Sequence, residues 1–472
     1  MRLLLPVLAL AFVPLSPGRM CGQQAEKDLE ERAWEIFRKA EEGAVRGQYR
    51  KASNTYKLLA REYGGTQAGR KAAPRAHESA FLCSSDLLRH GPSDNRVDIV
   101  IMGDGFTIEQ QGDYDTLSKV VPRNFERYAV FEEYFTYHDF IRANLCSGES
   151  GVDGHNRTYD TVLGARLSGG IQSQVAVSAQ RVRANLAEIP GHDGLVIAFV
   201  KNGELGTGGD GIASVGGRSP KTMIHEWGHA FASLMDEYSG NTGHRGQVNN
   251  GPNVSNTKDP DAVPWKHWLE KRVSGVGVYQ GADGRPKGAW KPTNNCIMDV
   301  GVDFCPICRE AIVLEIYRHV DPIETCEPAA HSSDSPPVVV DMTQSVRDLQ
   351  PVGFQVEVML PASHGLLVSW WVLPEKETPP LEKEDPARRW KDRRGRGPLP
   401  PLKAPPAQRT HRTGQRTVGF QVDPRDFEPG RYRVICRVVD PTKPRGEKLP
   451  WVLKDQHGLL ESERSWKLHL QQ

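Results

Sequence analysis

Apolar residues in the first part of the chain recur at helical spacing. No proline occurs between residues 25 and 70, and Gly47 and the Gly64-Gly65 pair interrupt the pattern. Apolar residues three and four positions apart lie on one face of a helix. The pattern therefore predicts two helices in an antiparallel hairpin, within a helical N-terminal segment over residues 23–92. The residues of the apolar face are Ala33, Ile36, Phe37, Ala40, Tyr49, Ala52, Tyr56 and Leu59.

In the middle of the chain, short apolar runs alternate with helical patterns. Strands are predicted at residues 96–102, 140–145 and 194–200, with helical character up to about residue 137 and again near residues 175–186. Such alternation is typical of an α/β or α+β core. The sequence therefore predicts one such domain over residues 93–328. The stretch 203–217 is dense in glycine and is predicted to be a loop.

From about residue 335 the pattern changes to short runs with the alternation typical of strands. Their number and the spacing of the turns predict an immunoglobulin-like β-sandwich over residues 335–472. A stretch dense in proline and charge, at about residues 375–416, is predicted to be a disordered insertion. The predicted strands lie at residues 338–340, 353–359, 366–372, 418–422, 432–439 and 465–470.

The first residues have the pattern of a secretory signal peptide. Arg2 precedes an apolar run over residues 3–15, which is too short to span a bilayer. We therefore expect residues 1–22 to be removed and the protein to be secreted or periplasmic, with association to the cell surface left open. The sequence predicts no stable membrane insertion. A net charge of +1 gives no electrostatic reason to expect nucleic acid as a partner.

The chain has eight cysteines, of which Cys21 would leave with the signal peptide. Export permits disulfide bonds. Cys305 and Cys308 form a single C-x-x-C pair, and no second pair completes a four-cysteine zinc site. We therefore predict that Cys296, Cys305, Cys308 and Cys326 form structural disulfides, whose pairing the spacing does not reveal.

One helix is predicted to carry the chemistry. Ser219 is a natural N-cap residue and Pro220 a natural first helical residue. His225 and His229 stand four residues apart in an H-E-x-x-H motif, so both rings lie on one helix face and can reach one metal ion. Glu226 between them can contact a water molecule at that metal.

The residue types and their spacing indicate a zinc hydrolase. A catalytic zinc takes three protein ligands and keeps its fourth position for water, whose pKa falls to about 7. Glu226 would then take a proton from the water and pass it to the leaving amine. We predict one zinc ion as cofactor and a protein or peptide as substrate.

The spacing leaves the third zinc ligand open. Asp236 would lie roughly 10 Å beyond His229 along a continuous helix. It can therefore reach the metal only if the helix ends near residues 232–234 and the chain turns back, and no glycine is present there to ease the turn. Glu270, on a later predicted helix, is the geometric alternative.

Six motifs follow one another along the chain: VDIVIMGDGFT, SGESGVDG, GTGGDG, HEWGHAFASLMDEY, NNCIMDVG and FCPICREAI. Together they resemble the motifs of the bacterial IgA-specific metalloendopeptidase family. The resemblance covers about residues 96–326, although nothing in the sequence identifies an immunoglobulin as the substrate. The family is metzincin-like, but Ala232 and Met235 stand where the general metzincin motif has a glycine and a ligand.

The resemblance implies roles for individual residues. It makes His225 and His229 zinc ligands, Glu226 the catalytic base and Asp236 the third ligand. It places Met298 in a methionine turn beneath the metal. Glu237 and Tyr238 would shape the site, with Tyr238 as an oxyanion donor.

The sequence therefore predicts a secreted zinc-dependent endopeptidase. Two alternatives remain. One is a non-catalytic secreted binding protein on a peptidase scaffold, which the intact motif argues against. The other is a gluzincin-like zinc hydrolase with a distant glutamate ligand. The sequence does not predict the oligomeric state.

Overall fold

The computed structural model describes residues 17–154, 156–167, 174–240, 246–381, 399 and 407–472, without the side chains of residues 17–23. The chain folds as a mixed α/β protein with several sheets. The apolar run of the predicted signal peptide, residues 3–15, lies outside the described residues. Within the described part of the chain, no helix is long and apolar enough to cross a membrane.

Three helices open the described chain and pack on one another. They are α1 (Pro17–Val45), α2 (Tyr49–Glu62) and α3 (Gln67–Ala72). The predicted apolar face forms their core, with Phe37, Tyr56 and Leu59 at most 1% exposed. The segment predicted to be helical up to residue 92 nevertheless ends in a strand, β1 (Ala80–Leu88), at one edge of the main sheet. Only the first four residues of this strand, Ala80 to Cys83, are buried. Such a short apolar run does not identify a strand by periodicity, so the sequence did not predict it.

The middle of the chain contains the main sheet. Its strands lie in the order β1, β3 (His138–Cys146), β2 (Val97–Asp104), β6 (Leu195–Val200), β8 (Ile212–Gly216) and β7 (Gly206–Gly209). The four inner strands are parallel, and the two edge strands pair antiparallel to their neighbours. The three predicted strands are confirmed, and two of them, β2 and β6, are buried along their whole length. The elements are β2 (Val97–Asp104), α4 (Gln111–Lys119), α5 (Val121–Phe125), α6 (Ala129–Glu133), β3 (His138–Cys146), β4 (Arg166–Leu167), β5 (Val175–Ala176), α7 (Ala179–Leu186), β6 (Leu195–Val200), β7 (Gly206–Gly209), β8 (Ile212–Gly216), α8 (Pro220–Ala232), α9 (Lys266–Glu270), β9 (Tyr279–Ala282), β10 (Arg285–Lys291) and α10 (Pro306–His319).

The glycine-dense stretch is a β-hairpin, so the prediction of a loop over residues 203–217 was wrong. Its strands β7 and β8 are joined by Asp210 and Gly211, which have φ values of 48° and 80°. Positive φ at both central residues is the geometry of the tight hairpin turn that Asp-Gly favours. The hairpin places β7 at the edge of the sheet, in contact with α8.

The C-terminal region consists of two further sheets. The first has the strand order β11 (Ile323–Glu327), β13 (Val352–Val358) and β16 (Thr417–Val422). The second has the order β12 (Val338–Asp341), β18 (Glu461–Gln471), β17 (Gly430–Val439), β14 (Leu366–Pro374) and β15 (Arg409–Thr413). Their inner residues form one hydrophobic core, in which Trp370 and Trp466 stack with ring centroids 5.8 Å apart. All six predicted strands are present.

Two boundaries of this region differ from the prediction. The first strand, β11, lies within the stretch assigned to the preceding domain, but it pairs with β13. Strand β15 lies within the predicted disordered insertion at 375–416, but it pairs with β14. Most of that insertion, residues 382–398 and 400–406, lies outside the described residues.

A buried polar network joins the C-terminal sheets to the helices of the main domain. His364 contacts Glu133 and Asp440 through its two ring nitrogens, each at 2.7 Å. Tyr134 and Tyr317 donate hydrogen bonds to the other carboxylate oxygen of Asp440, at 2.9 and 2.6 Å. All of these groups are buried, so the network fixes the C-terminal sheets against α6 and α10.

Candidate metal centre and active site

Helix α8 carries the H-E-x-x-H motif and begins as predicted. The Ser219 hydroxyl accepts a hydrogen bond from the amide of Thr222 at 3.2 Å, and Pro220 follows as the first helical residue. Trp227 and Phe231 on the apolar face are 0% and 4% exposed. Burial of this face fixes the rotation of the helix, and the two histidines therefore lie on its other side.

The helix ends one residue before Ser233, which adopts a left-handed conformation with φ 52° and ψ 35°. The amide of Leu234 then donates to the carbonyl of Gly228, six residues earlier, at 3.2 Å. The amide of Ser233 donates to the same carbonyl, so these two bonds close the helix end. The chain therefore turns back between the helix and Asp236, as an approach of Asp236 to the histidines requires. The left-handed residue at this helix end is a serine, whereas glycine is usual at such positions.

The turn brings Asp236 to the two histidines. Its Oδ1 lies 3.0 Å from His225 Nε2 and 3.1 Å from His229 Nε2, and the two nitrogens are 3.2 Å apart. Three ligands bound tetrahedrally at 2.0–2.1 Å would be separated by about 3.3 Å. The three atoms therefore have the spacing of one face of a zinc coordination tetrahedron.

Hydrogen bonds fix both imidazole rings in the orientation that metal binding needs. His225 Nδ1 donates to the carbonyl of Ile297 at 2.9 Å, and His229 Nδ1 donates to the carbonyl of Leu234 at 2.5 Å. A proton held on Nδ1 leaves the Nε2 lone pair for a metal ion. Both Nε2 atoms point toward Asp236.

The same contacts shift the pKa values of the metal-free groups. Burial alone would lower the pKa of His229, but its hydrogen bond to Asp236 outweighs this and raises that pKa to about 9. Burial alone would raise the pKa of Asp236, but its bonds to His225 and His229 hold it well below the ordinary value. The carboxylate is therefore ionised at neutral pH.

Tyr238 holds the other oxygen of the Asp236 carboxylate. Its hydroxyl donates to Asp236 Oδ2 at 2.8 Å, and its ring stacks at 21° to the ring of His225. Burial, and then the charge of Asp236, raise the pKa of Tyr238 above its usual range. The hydroxyl therefore donates to the carboxylate and leaves Oδ1 directed at the histidines.

Glu226 lies between helix α8 and the edge strand β7. Its side chain is 7% exposed, and burial raises its pKa despite the nearby histidines. A Cβ atom at Gly206 would overlap the Glu226 side chain, and one at Gly208 would overlap the Glu226 carbonyl oxygen. The two glycines therefore let the backbone of β7 lie directly on the helix.

A turn at residues 297–300 supports the site from below. Met298 is fully buried, and its sulfur would lie 3.0 Å from a Cβ atom at Gly228, which stands between the two histidines in the helix. The Met298 carbonyl accepts a hydrogen bond from the Glu237 amide at 2.7 Å. The turn thus contacts both the helix and the segment that carries Asp236.

Glu237 points away from the three metal-facing groups, into a buried cluster with Cys296, Cys305 and Cys308. Its Oε1 accepts a hydrogen bond from Asn253 at 2.9 Å, and burial raises its pKa well above the usual range. All seven cysteines with described side chains are free thiols. The prediction of structural disulfides was therefore wrong for these residues, and Cys326 lies apart from the cluster in β11.

Glu270 is exposed at the end of α9. Among the described residues, the group of ligand atoms around the histidine pair consists of His225, His229 and Asp236 and does not include Glu270. Of these two carboxylates, Asp236 therefore lies beside the histidine pair and Glu270 does not.

Comparison with known families gives one match. A model of the family described as IgA Peptidase M64 matches residues 86–275 and 271–316. The matched region contains the main sheet from β2 onward, helix α8, the turn at Met298 and most of α10. Among curated proteins, none matches the chain.

Proposed function

Because the domain formed by residues 86–316 belongs to the IgA peptidase M64 family and is therefore a metallopeptidase, we propose that it is a zinc-dependent endopeptidase. In this proposal, one catalytic zinc ion is held by His225, His229 and Asp236. Glu226 is the general base. Membership of the family favours an enzyme over a non-catalytic binding protein.

The observation that carries the proposal is the convergence of three ligand atoms on one point. They are separated by only 3.0–3.2 Å, and both histidines already present Nε2. Two imidazoles and one carboxylate are a donor set typical of catalytic zinc, which keeps a fourth position for water. These residues therefore fit a zinc ion.

Zinc bound here would lower the pKa of a water molecule to about 7 and polarise the peptide carbonyl. Glu226 would accept the proton of the attacking water and deliver it to the leaving amine. Burial raises the pKa of Glu226 in the metal-free protein, which makes its carboxylate a better proton acceptor. Tyr238 would hold the Asp236 carboxylate, and an additional role as oxyanion donor remains part of the proposal.

The proposal keeps four further predictions from the sequence. The main domain is metzincin-like, with Met298 in the turn beneath the metal. The N-terminal helices form an antiparallel hairpin, which their shared hydrophobic core supports. The C-terminal sheets form an immunoglobulin-like sandwich, which their strand content and shared core support. The protein acts after secretion, as the apolar run at residues 3–15 suggests.

The mechanism is tested by hydrolysis of a broad panel of unfolded proteins by the wild type and Glu226→Gln. We expect the variant to retain its zinc and to lose activity by about 10²- to 10⁴-fold. Glu270→Gln is the matched control and should remain active. Equal activity of the wild type and Glu226→Gln would refute the assigned base.

The ligand set is tested by the zinc content of Asp236→Ala and Glu270→Ala. We expect Asp236→Ala to lose the catalytic zinc and Glu270→Ala to retain it. The reverse result would support the gluzincin-like alternative and remove Asp236 from the site.

A further inference from the structure

A second group of potential metal ligands lies beside the active site and takes no part in the proposed reaction. It consists of Glu237, Cys296, Cys305 and Cys308, which we call the cysteine cluster. We propose that the cysteine cluster is a structural zinc site with three thiolate ligands and one carboxylate ligand. The site itself does not depend on the proposed function.

The ligand atoms have the spacing of a coordination tetrahedron. The Sγ atoms of Cys296 and Cys308 are 3.6 Å apart, and Glu237 Oε1 lies 3.1 Å from Cys308 Sγ and 3.8 Å from Cys305 Sγ. Zinc bonds of about 2.3 Å to sulfur and 2.0 Å to oxygen imply separations of about 3.8 Å between two sulfurs and 3.5 Å between sulfur and oxygen. A disulfide would instead require about 2.05 Å between the sulfurs.

The cluster is closed to solvent. Glu237, Cys296 and Cys308 are fully buried, and Cys305 is 3% exposed. With all four ligands supplied by the protein, no position remains for water or substrate. A closed tetrahedral site rich in thiolate is typical of structural zinc, and soft sulfur ligands select this metal over magnesium or calcium.

The Glu237 carboxylate supplies an independent reason to expect a cation. Its Oε2 is buried, and no described residue offers it a hydrogen bond. A buried oxygen without a partner is costly, and a metal ion bound by the same carboxylate would compensate that cost. The ammonium group of Lys291 donates to the Glu237 backbone carbonyl at 2.8 Å and to the Asp299 carboxylate, and not to the Glu237 side chain.

Zinc in the cluster would connect three segments that build the active site. Cys305 and Cys308 lie at the start of α10, and Cys296 directly precedes the turn whose residue Ile297 binds His225. Glu237 directly follows Asp236. The ion would therefore hold the third catalytic ligand and one histidine in place, and this positioning role rests on the proposed function.

The first experiment measures the zinc content of the full-length protein and of a triple variant, His225→Ala/His229→Ala/Asp236→Ala. We expect two zinc ions per chain in the wild type and one in the variant. X-ray absorption of the variant should show zinc bound to sulfur at about 2.3 Å. A variant without zinc, or with zinc bound only to nitrogen and oxygen at about 2.0–2.1 Å, would overturn the proposal.

This experiment separates the two proposals. A wild type that holds only sulfur-bound zinc and lacks activity would remove the proposed function and leave the cysteine cluster as a metal site. An active wild type with one zinc, bound to nitrogen and oxygen alone, would remove the cysteine cluster and leave the proposed function.

The second experiment replaces single ligands of the cluster. Cys308→Ser and Glu237→Gln should each lose the sulfur-bound zinc. In any such variant that stays folded, the catalytic zinc should also bind about 10- to 100-fold more weakly, because its ligands lose the residues that position them. Cys436→Ser is the control, because Cys436 is a fully buried free thiol in β17. It should keep two zinc ions. If Cys308→Ser does not fold, the triple variant still decides the question.

Thiol titration of the denatured wild type with a chelator tests the competing disulfide. We expect every cysteine to react as a thiol. Two fewer thiols than cysteines, together with no sulfur-bound zinc, would show a disulfide in the cluster and overturn the proposal.

Discussion

The hydroxyl of Tyr238 can be removed without changing any of the proposed zinc ligands. Among the described residues, this hydroxyl donates its hydrogen bond to Asp236 Oδ2, at 2.8 Å. In Tyr238→Phe the ring still stacks on His225, but one carboxylate oxygen loses its donor. We expect the carboxylate to rotate more freely and the zinc ion to bind less tightly.

The expected loss follows from the type of bond. A hydrogen bond to a charged group contributes about 1.5–3 kcal/mol. The Asp236 side chain is 28% exposed, so water can replace part of the lost bond and the lower end of that range applies. Since 1.4 kcal/mol corresponds to tenfold in affinity, we expect zinc to bind about tenfold more weakly.

The assay is competition for zinc against a chelator of known affinity, at constant pH, for the wild type and Tyr238→Phe. The matched control is Tyr432→Phe, which also removes a hydroxyl that donates at 2.8 Å, in that case to the Glu428 carbonyl in the C-terminal region. The control should keep the zinc affinity of the wild type.

The same variant separates the two roles considered for Tyr238. If the tyrosine positions Asp236, zinc affinity falls. If it serves only as an oxyanion donor, kcat falls while zinc affinity stays unchanged. An unchanged zinc affinity would therefore refute the positioning argument.

Three further predictions concern the helix end, the edge strand and the histidine protons. Ser233→Gly should raise the free energy of unfolding by about 1 kcal/mol in chemical denaturation, because glycine adopts the left-handed conformation without a Cβ clash; a lower value would contradict this. Gly208→Ala should lower the melting temperature and the activity because its Cβ atom would overlap the Glu226 carbonyl, whereas Gly209→Ala, with open space at its Cβ, should change neither. The pKa of metal-free His229, raised to about 9, means that zinc must displace a proton below that pH. Apparent zinc affinity should therefore rise by up to about tenfold per pH unit between pH 6.5 and 9 in buffered titrations, and a flat profile would show that His229 binds no proton there. The free energy of unfolding of the metal-free protein depends on pH in the opposite direction. Protonated His229 stabilises the metal-free fold fully below pH 6.5, and this stabilisation is lost as the pH rises through about 9.

The parts of the site that depend on local pattern could be predicted from the sequence. Ser219, Pro220 and the apolar face of α8 identify the helix, and the helix period then places His225 and His229 together. Each of these inferences uses residues within a few positions of one another. They required no knowledge of the rest of the fold.

The position of Asp236 could not be derived in this way. It depends on the left-handed conformation of Ser233, which a serine does not signal because the usual residues there are glycine and asparagine. Only the resemblance to a family indicated that the helix ends at this point. The hairpin turn at Asp210-Gly211 is different, because that dipeptide is a recognised turn signal that the glycine-rich composition obscured.

The cysteine cluster was missed for a third reason. A four-cysteine zinc site would need a second C-x-x-C pair, whereas the fourth potential ligand here is a carboxylate 71 residues before Cys308. Neither spacing nor residue type connects Glu237 to the cysteines. The tertiary fold brings them together, so this group becomes visible only in three dimensions.

The central claim is that His225, His229 and Asp236 hold one catalytic zinc ion. The most direct measurement is an anomalous difference map from crystals of the purified protein, recorded at the zinc absorption edge. We predict a peak about 2.0–2.2 Å from His225 Nε2, His229 Nε2 and Asp236 Oδ1. A map of zinc-replete crystals without density at this point, or with a peak that contacts the histidines and another carboxylate instead of Asp236, would contradict the account.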